Sequence, residues 1–212
     1  MPSEKKMICS NCGKQYPEWM ILPTGVCVAC ARLLAVIPPV YLDKSFDNFV
    51  VGKNQKAVEK CKAFDKSERG LFLYGSPGAG KTHLAIAVLK NIIKSGKEIK
   101  IAIMPNVFLA LRDTFSKNEG LGEADILDYY SSGCVLFDDF ALEKQSPFCL
   151  TTVYTLLNNR WISGQHKIII TSNLSIGEIS QTMSDRLASR ISGMCDLVQV
   201  VGEDRRVRGK NG

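Results

Sequence analysis

Long hydrophobic runs are missing from this chain of 212 residues. Its most apolar stretch, Cys27 to Leu42, is broken by Arg32 and by Pro38–Pro39 and is too short to span a bilayer, which excludes a membrane-crossing helix. An apolar signal region is also missing. The chain opens Met-Pro-Ser-Glu-Lys-Lys and then reaches a cysteine pair, so no secretory leader is read and the cytoplasm is the expected location. Charge of one sign is in short supply: the net charge of +6 permits contact with nucleic acid without demonstrating it. No internal repeat is visible. Histidine is scarce, with two in the chain. His166 stands in a polar loop with no visible partner, and His83 reads as a helix-surface or packing residue. What the chain does have is ordinary globular composition, 45% hydrophobic, which rules out a disordered or fibrous protein. The length accommodates one full-sized domain plus a small module.

Eight cysteines are present, and a reducing compartment argues against a disulfide framework. Four form two CxxC pairs, Cys9/Cys12 and Cys27/Cys30, with fourteen residues between them, slightly short of the usual zinc spacing. Two residues between thiolates let one tight turn aim both sulfurs at a single ion, and two such turns complete a tetrahedral four-sulfur site. A redox dithiol would be expected near a βαβ pattern, and none surrounds these pairs. A closed four-thiolate zinc site has no open position, so its role is structural. Residues 1–40 are too few to hold a core without such a staple. Cys61, Cys134, Cys149 and Cys195 lack ligand spacing and read as small buried apolar residues.

Val36 to Tyr41 forms a stiff joint, because Pro38 and Pro39 fix φ and bar a helix. Beyond it, apolar strands alternate with helices. Strands are expected at Leu71–Tyr74, Ile99–Met104, Cys134–Phe137, Ile168–Ile170 and Leu197–Val201. Helices are expected near Gln55–Phe64, at Thr82–Lys94, Asn106–Ser116, Pro147–Trp161, Ile176–Met183 and Asp185–Ser192, and a short one lies within Asn118–Ser132. Near-continuous apolar strands between helices imply an α/β fold, a parallel sheet covered on both faces. The expected divisions are a cysteine module over 1–40, an α/β domain over 41–202, and a basic tail over 203–212. Trp19 and Trp161 read as packing anchors. Phe108, Arg112 and Lys117 are candidates for a DNA-facing surface.

Gly75-Ser76-Pro77-Gly78-Ala79-Gly80-Lys81-Thr82 matches the phosphate-loop pattern GxxxxGK[ST] in full, between an expected strand and an expected amphipathic helix. Glycines let backbone N–H groups turn inward around an anion, and the helix N-terminus adds partial positive charge. Lys81 is expected to reach the β- and γ-phosphates of ATP, and the Thr82 hydroxyl to ligate Mg²⁺. Val135-Leu-Phe137 ends in Asp138 and Asp139. Asp138 is the expected magnesium-holding acid, and Asp139 sits where a carboxylate can polarise the attacking water. Asp is one methylene shorter than the Glu often found there, so slow hydrolysis is expected. Asn173, after Ile168-Ile-Ile-Thr-Ser, either orients that water or caps its strand.

From Ser45 to about Val201 the chain resembles the AAA+ ATPases of the DnaC/DnaI/IstB type. The similarity is carried by Ser45-Phe-Asp-Asn-Phe-Val-Val-Gly52, by the run from Gly75 through His83 to Ala85, by Val135–Phe140, by Leu156–Trp161 with Ile168–Leu174, and by Asp185-Arg-Leu-Ala-Ser-Arg-Ile191. The resemblance implies that residues 75–83, His83 included, bind nucleotide. It implies that Asn173 is sensor I and that Arg190, with Arg186 its rival, is an arginine finger acting on a neighbouring subunit. It places Arg205 or Arg206 near sensor II, and it implies an ATP-dependent homo-oligomer. Zinc-bearing N-terminal modules occur in some DnaI-like loaders, which favours a replicative helicase loader acting with a hexameric helicase and single-stranded DNA. A transposition ATPase on duplex DNA and a non-enzymatic adaptor are the competing readings.

Overall fold

Five strands of near-unbroken apolar sequence assemble into one parallel sheet. In this computed structural model, residues 5–11, 13–114, 123–140 and 147–202 are described. The strands are β3 (Gly70–Tyr74), β4 (Ile99–Ile103), β5 (Cys134–Phe140), β6 (Ile168–Ser172) and β7 (Cys195–Gln199), in the spatial order β4-β5-β6-β3-β7. Ahead of them lie β1 (Lys6–Ile8), β2 (Gln15–Pro17), α1 (Val28–Val36) and α2 (Gln55–Ala63). Between and after them come α3 (Lys81–Lys94), α4 (Met104–Thr114), α5 (Glu123–Tyr129), α6 (Pro147–Ile162), α7 (Ile176–Thr182) and α8 (Asp185–Met194).

Successive strand residues point to opposite faces, and both faces are buried. Leu71 and Leu73 of β3, Leu136 and Ile169 join α2 and α3 in one apolar cluster. Phe72, Val135, Phe137, Ile168 and Ile170 point the other way, into a second cluster with α4, α6 and α8. The expected α/β architecture of a parallel sheet with helices on both faces is therefore present.

Some boundaries differ from expectation, each for a local reason. Strand β5 continues past Phe137 to Phe140, because one extra residue is absorbed by a register shift between Phe137 and Phe140 against β6. Met104 opens α4 instead of ending β4, and it is buried in the second cluster. Phe108 is also buried there, so it is core and not a DNA-facing residue. The side chain of Arg112, and Lys117, lie outside the described residues. Trp19 is 75% exposed and anchors no core, and Trp161 is 40% exposed.

The N-terminal segment pairs β1 with β2 in antiparallel fashion and then enters α1. That helix shares its far end with the main domain: Leu33 and Val36 pack against the first cluster, and Ile37, just beyond it, is 1% exposed. Pro39–Tyr41 forms a single 3-10 turn at the joint.

At the N-terminal ends of the strands, basic side chains hold the loops. Arg160, fully buried, donates to the carbonyls of Tyr130 (2.9 Å), Gly133 (2.8 Å) and Lys167 (2.9 Å). Lys167 donates to the carbonyls of Phe64, Asp65 and Ser67. Arg69 donates to those of Ser192, Gly193 and Cys195.

Candidate functional site

At the opposite end of the sheet, β3 runs into the glycine-rich loop and the loop into α3. Gly75 has φ 148°, and a Cβ there would lie 2.1 Å from the Val200 carbonyl oxygen, so the close approach of the chain after β7 requires glycine. Gly80 has φ 103°, and a Cβ there would meet the Phe49 ring at 2.8 Å. The loop is thus held between the segment after β7 and the entry segment. Ser76 Oγ donates to the Gly202 carbonyl at 2.8 Å. Asn54, 3% exposed, donates to the Val201 carbonyl (2.7 Å) and accepts the Val201 N–H (2.8 Å). No side chain caps α3 at Gly80. The first-turn amides of a helix have no intrahelical partners and favour an anion.

Lys81 is 7% exposed and donates to the carbonyls of Gly75 and Ser76 (both 2.8 Å) and to Asn173 Oδ1 (2.7 Å). Thr82 Oγ donates to Asp138 Oδ1 at 3.0 Å. Asp138, 1% exposed, also accepts from the Thr171 hydroxyl at 2.6 Å. Burial raises the Asp138 carboxyl above the usual carboxylate range. The Asp139 charge adds to the rise, while the hydroxyls of Thr171 and Thr82 oppose it. Asp139 has φ 56°, and its N–H donates to Thr171 Oγ at 3.0 Å.

These groups surround a cleft of about 710 Å³, lined by Gly78, Gly80, Lys81, Thr82, Asp139 and Asn173 on one side and by Tyr41, Asp43, Lys44, Asn48 and Val50 on the other. That volume lies within the range of nucleotide-sized ligand sites. The donor set of Thr82 hydroxyl and Asp138 carboxylate is hard oxygen, which fits Mg²⁺. His83 also lines the cleft, but its ring faces the entry segment: Nε2 lies 2.8 Å from the Ser45 carbonyl and 3.1 Å from Asn48 Oδ1, two acceptors. The ring packs edge-on to Phe49 at 5.2 Å. The structure therefore gathers Gly75 to Thr82, Asp138, Asp139 and Asn173 at one place.

Arg190 is not among the residues lining this cleft. It donates to Asn158 Oδ1 at 3.0 Å, and its guanidinium stacks over Trp161 at 4.9 Å, beside Arg186 and Asp185 in a separate hollow. Arg205 and Arg206 lie outside the described residues. Asn54, which helps hold the loop, carries no motif signal. Phe49 and Thr171 fall inside the stretches that carry the resemblance without being singled out there, and the only hint at Thr171 is a hydroxyl at the end of an apolar strand whose residues are all buried.

The second candidate site is the cysteine cluster. The sulfurs of Cys9, Cys27 and Cys30 lie within 4.8 Å of one another, all buried. The Cys27 N–H donates to Cys9 Sγ at 3.2 Å. Three convergent soft donors fit zinc. Cys12, the expected fourth ligand, lies outside the described residues. Cys61, Cys134 and Cys195 are buried in the main domain, each thiol pushed up to about 12 by burial.

Sheet order, phosphate-loop geometry and acidic strand end define a P-loop ATP-binding protein of the AAA+ class. The family described as IstB-like ATP binding protein matches residues 32–212, and the chain belongs to that family. The replicative helicase loader DnaC of Escherichia coli strain K12 is 25% identical over 162 residues, 73% of this chain and 65% of that protein. The chain thus matches 65% of the length of this curated relative. A crystal structure of DnaI superposes with a TM-score of 0.67 at 20% identity, over 82% of this chain and 99% of that one, a likeness of fold. The replication initiator DnaA, solved with AMPPCP and single-stranded DNA, gives 0.64 at 25% identity, over 78% of this chain and 51% of that one.

Proposed function

We propose that this ATP-binding protein is a replicative helicase loader that uses ATP as an assembly switch and hydrolyses it slowly. The observation that carries the reading is the cleft lined by Lys81, Thr82, Asp139 and Asn173 beside the glycine loop, with buried Asp138 hydrogen-bonded to Thr82 behind it. The backbone of residues 75–80 and the α3 N-terminus hold the phosphates. Lys81 leaves the carbonyls of Gly75 and Ser76 and takes up the β- and γ-phosphates, exchanging neutral acceptors for anionic ones. Thr82 and Asp138 hold Mg²⁺, which when bound neutralises phosphate charge. Asp139 polarises the attacking water, and Asn173, released by Lys81, orients it. A carboxylate one methylene shorter than Glu makes that step slow.

Arg190 serves a neighbouring subunit's nucleotide in this reading, which agrees with its position away from the chain's own cleft. The active site is then shared between copies in an ATP-dependent homo-oligomer. The segment over 1–40, folded around zinc held by Cys9, Cys27, Cys30 and Cys12, grips the hexameric helicase, and the domain over 41–202 engages single-stranded DNA in the cytoplasm. The kinship with DnaC, named a replicative helicase loader, supports this choice.

The test is capture of the replicative helicase by the full chain with and without ATP, followed by delivery onto single-stranded circles. Absence of helicase binding in every nucleotide state defeats the loader reading. The family's IstB-like description supports the second reading, a transposition ATPase. ATP-dependent filaments on duplex DNA, with no preference for single strands, would establish that reading instead.

A further inference from the structure

The acidic pair sits on an irregular strand, and one side chain holds it there. Along β5 and β6 the partners run Leu136 to Ile169 and Phe137 to Ile170, and the pairing resumes only at Phe140 with Ser172. Asp138 and Asp139 together therefore stand against a single residue of β6, Thr171. This two-against-one arrangement is a bulge, uncommon in parallel pairs and suited to re-aiming a side chain. Asp139 takes up the extra residue at φ 56°, a conformation that an L residue outside glycine adopts at a cost.

A hydroxyl can donate one hydrogen bond and accept others at once. Thr171, 0% exposed, does both across the bulge: it donates to Asp138 Oδ1 at 2.6 Å and accepts the Asp139 N–H at 3.0 Å. Thr82 approaches the same Asp138 oxygen at 3.0 Å. The phosphate loop, both acids and the neighbouring strand are thus joined through two hydroxyls.

We infer that Thr171 is the positioning residue of the acidic pair, its single hydroxyl fixing the rotamer of Asp138 and the bulged backbone of Asp139 relative to the phosphate loop. Fully buried, it acts through its two neighbours. The inference rests on the nucleotide reading for its functional consequence, but the clamp itself can be read without nucleotide.

Thr171→Val keeps the β-branched shape and removes the hydroxyl, and Thr171→Ser keeps the hydroxyl and removes the methyl. Backbone hydrogen exchange reads the clamp directly: the Asp139 amide is protected in the wild type and in Thr171→Ser, and exchanges at least about tenfold faster in Thr171→Val. With nucleotide, Thr171→Val binds ADP without magnesium as the wild type does. It requires about tenfold more Mg²⁺ to reach half-maximal tightening, and its kcat falls about tenfold or more with KM changed less than about threefold. Thr171→Ser recovers most of both. If Thr171→Val does not fold, Thr171→Ala takes its place against Thr171→Ser, and fast exchange of the wild-type Asp139 amide is by itself enough to overturn the clamp. Equal behaviour of the valine and serine variants, whether both intact or both impaired, also overturns it. A wild-type protein that shows the protected amide but binds no nucleotide defeats the ATP reading and leaves the clamp standing.

Discussion

The two ends of the central sheet are built on opposite principles. At the N-terminal ends of the strands, Arg69, Arg160 and Lys167 each reach several backbone carbonyls, so long cationic side chains tie the loops together. At the C-terminal ends there is a glycine loop, a buried acid and a non-glycine residue at positive φ. There Lys81 rests on two carbonyls of its own loop and on Asn173. One end commits its cations to backbone carbonyls of the loops between strands and helices. The other keeps its charges in a cleft where an anion and a cation can exchange for those contacts. If the ATP-binding role proposed for the second end is right, the first arrangement serves stability and the second binding, and substitutions should separate the two.

The largest expected effect is at the stabilising end. Arg160→Leu strands the carbonyls of Tyr130, Gly133 and Lys167, at about 1 kcal/mol or more each and about 3 kcal/mol together. Thermal unfolding should fall by about 6–12 °C for a chain of this size, with nucleotide affinity unchanged below the transition. Next comes the binding end: Lys81→Ala should weaken ATP and ADP by about 100-fold in equilibrium titration while costing less than about 1 kcal/mol of stability in urea melts. If either variant produced the other's phenotype, the division between the two ends would fail.

A third, smaller effect concerns the N-terminal segment. Purified protein should carry about one zinc per chain, measured by elemental analysis. Chelation, or Cys9→Ser, should expose the β1–β2 segment to proteolysis first, since Cys9, Cys27 and Cys30 form the buried centre of that segment. A metal-free protein with that segment fully resistant would sink the zinc assignment. The smallest effect is at Asp196, which pairs with Lys60 at 2.7 Å and Arg69 at 3.1 Å. The Lys60 ammonium, with Arg69 assisting, holds the Asp196 carboxyl below its ordinary value. A depressed carboxylate contributes stability above its unfolded value of about 4 and loses that contribution as pH falls through the folded value. Asp196→Asn should therefore cost less than about 1 kcal/mol at pH 7, solvent screening keeping it small, and nothing once the pH is below both values. Urea melts at pH 7 and at successively lower pH read the progressive loss of that difference.

The sheet is legible because each strand is an apolar run between turn signals, and the phosphate loop is legible because glycine spacing and context coincide. The end of β5 is not, since Asp-Asp after Phe137 reads as a strand end. Only the packing of Thr171 against the bulge shows how the strand goes on. Trp19 reads as an anchor because tryptophan is usually buried, yet on so small a segment the ring is left in solvent. Phe108 was misplaced for the converse reason: nearby basic residues hid its position on the inner face of α4. The contacts of Asn54 and Phe49 are not legible in the sequence, because their partners, Val201 and Gly80, are distant in the chain.

The central claim is that the cleft around Lys81 holds an adenine nucleotide. Isothermal titration of the folded chain with ADP and a non-hydrolysable ATP analogue, in the presence of Mg²⁺, tests it most directly. The account predicts one site per chain with a Kd of about 1–100 μM, weakened about 100-fold by Lys81→Ala. Well-folded wild-type protein that takes up neither nucleotide at millimolar concentration would contradict it.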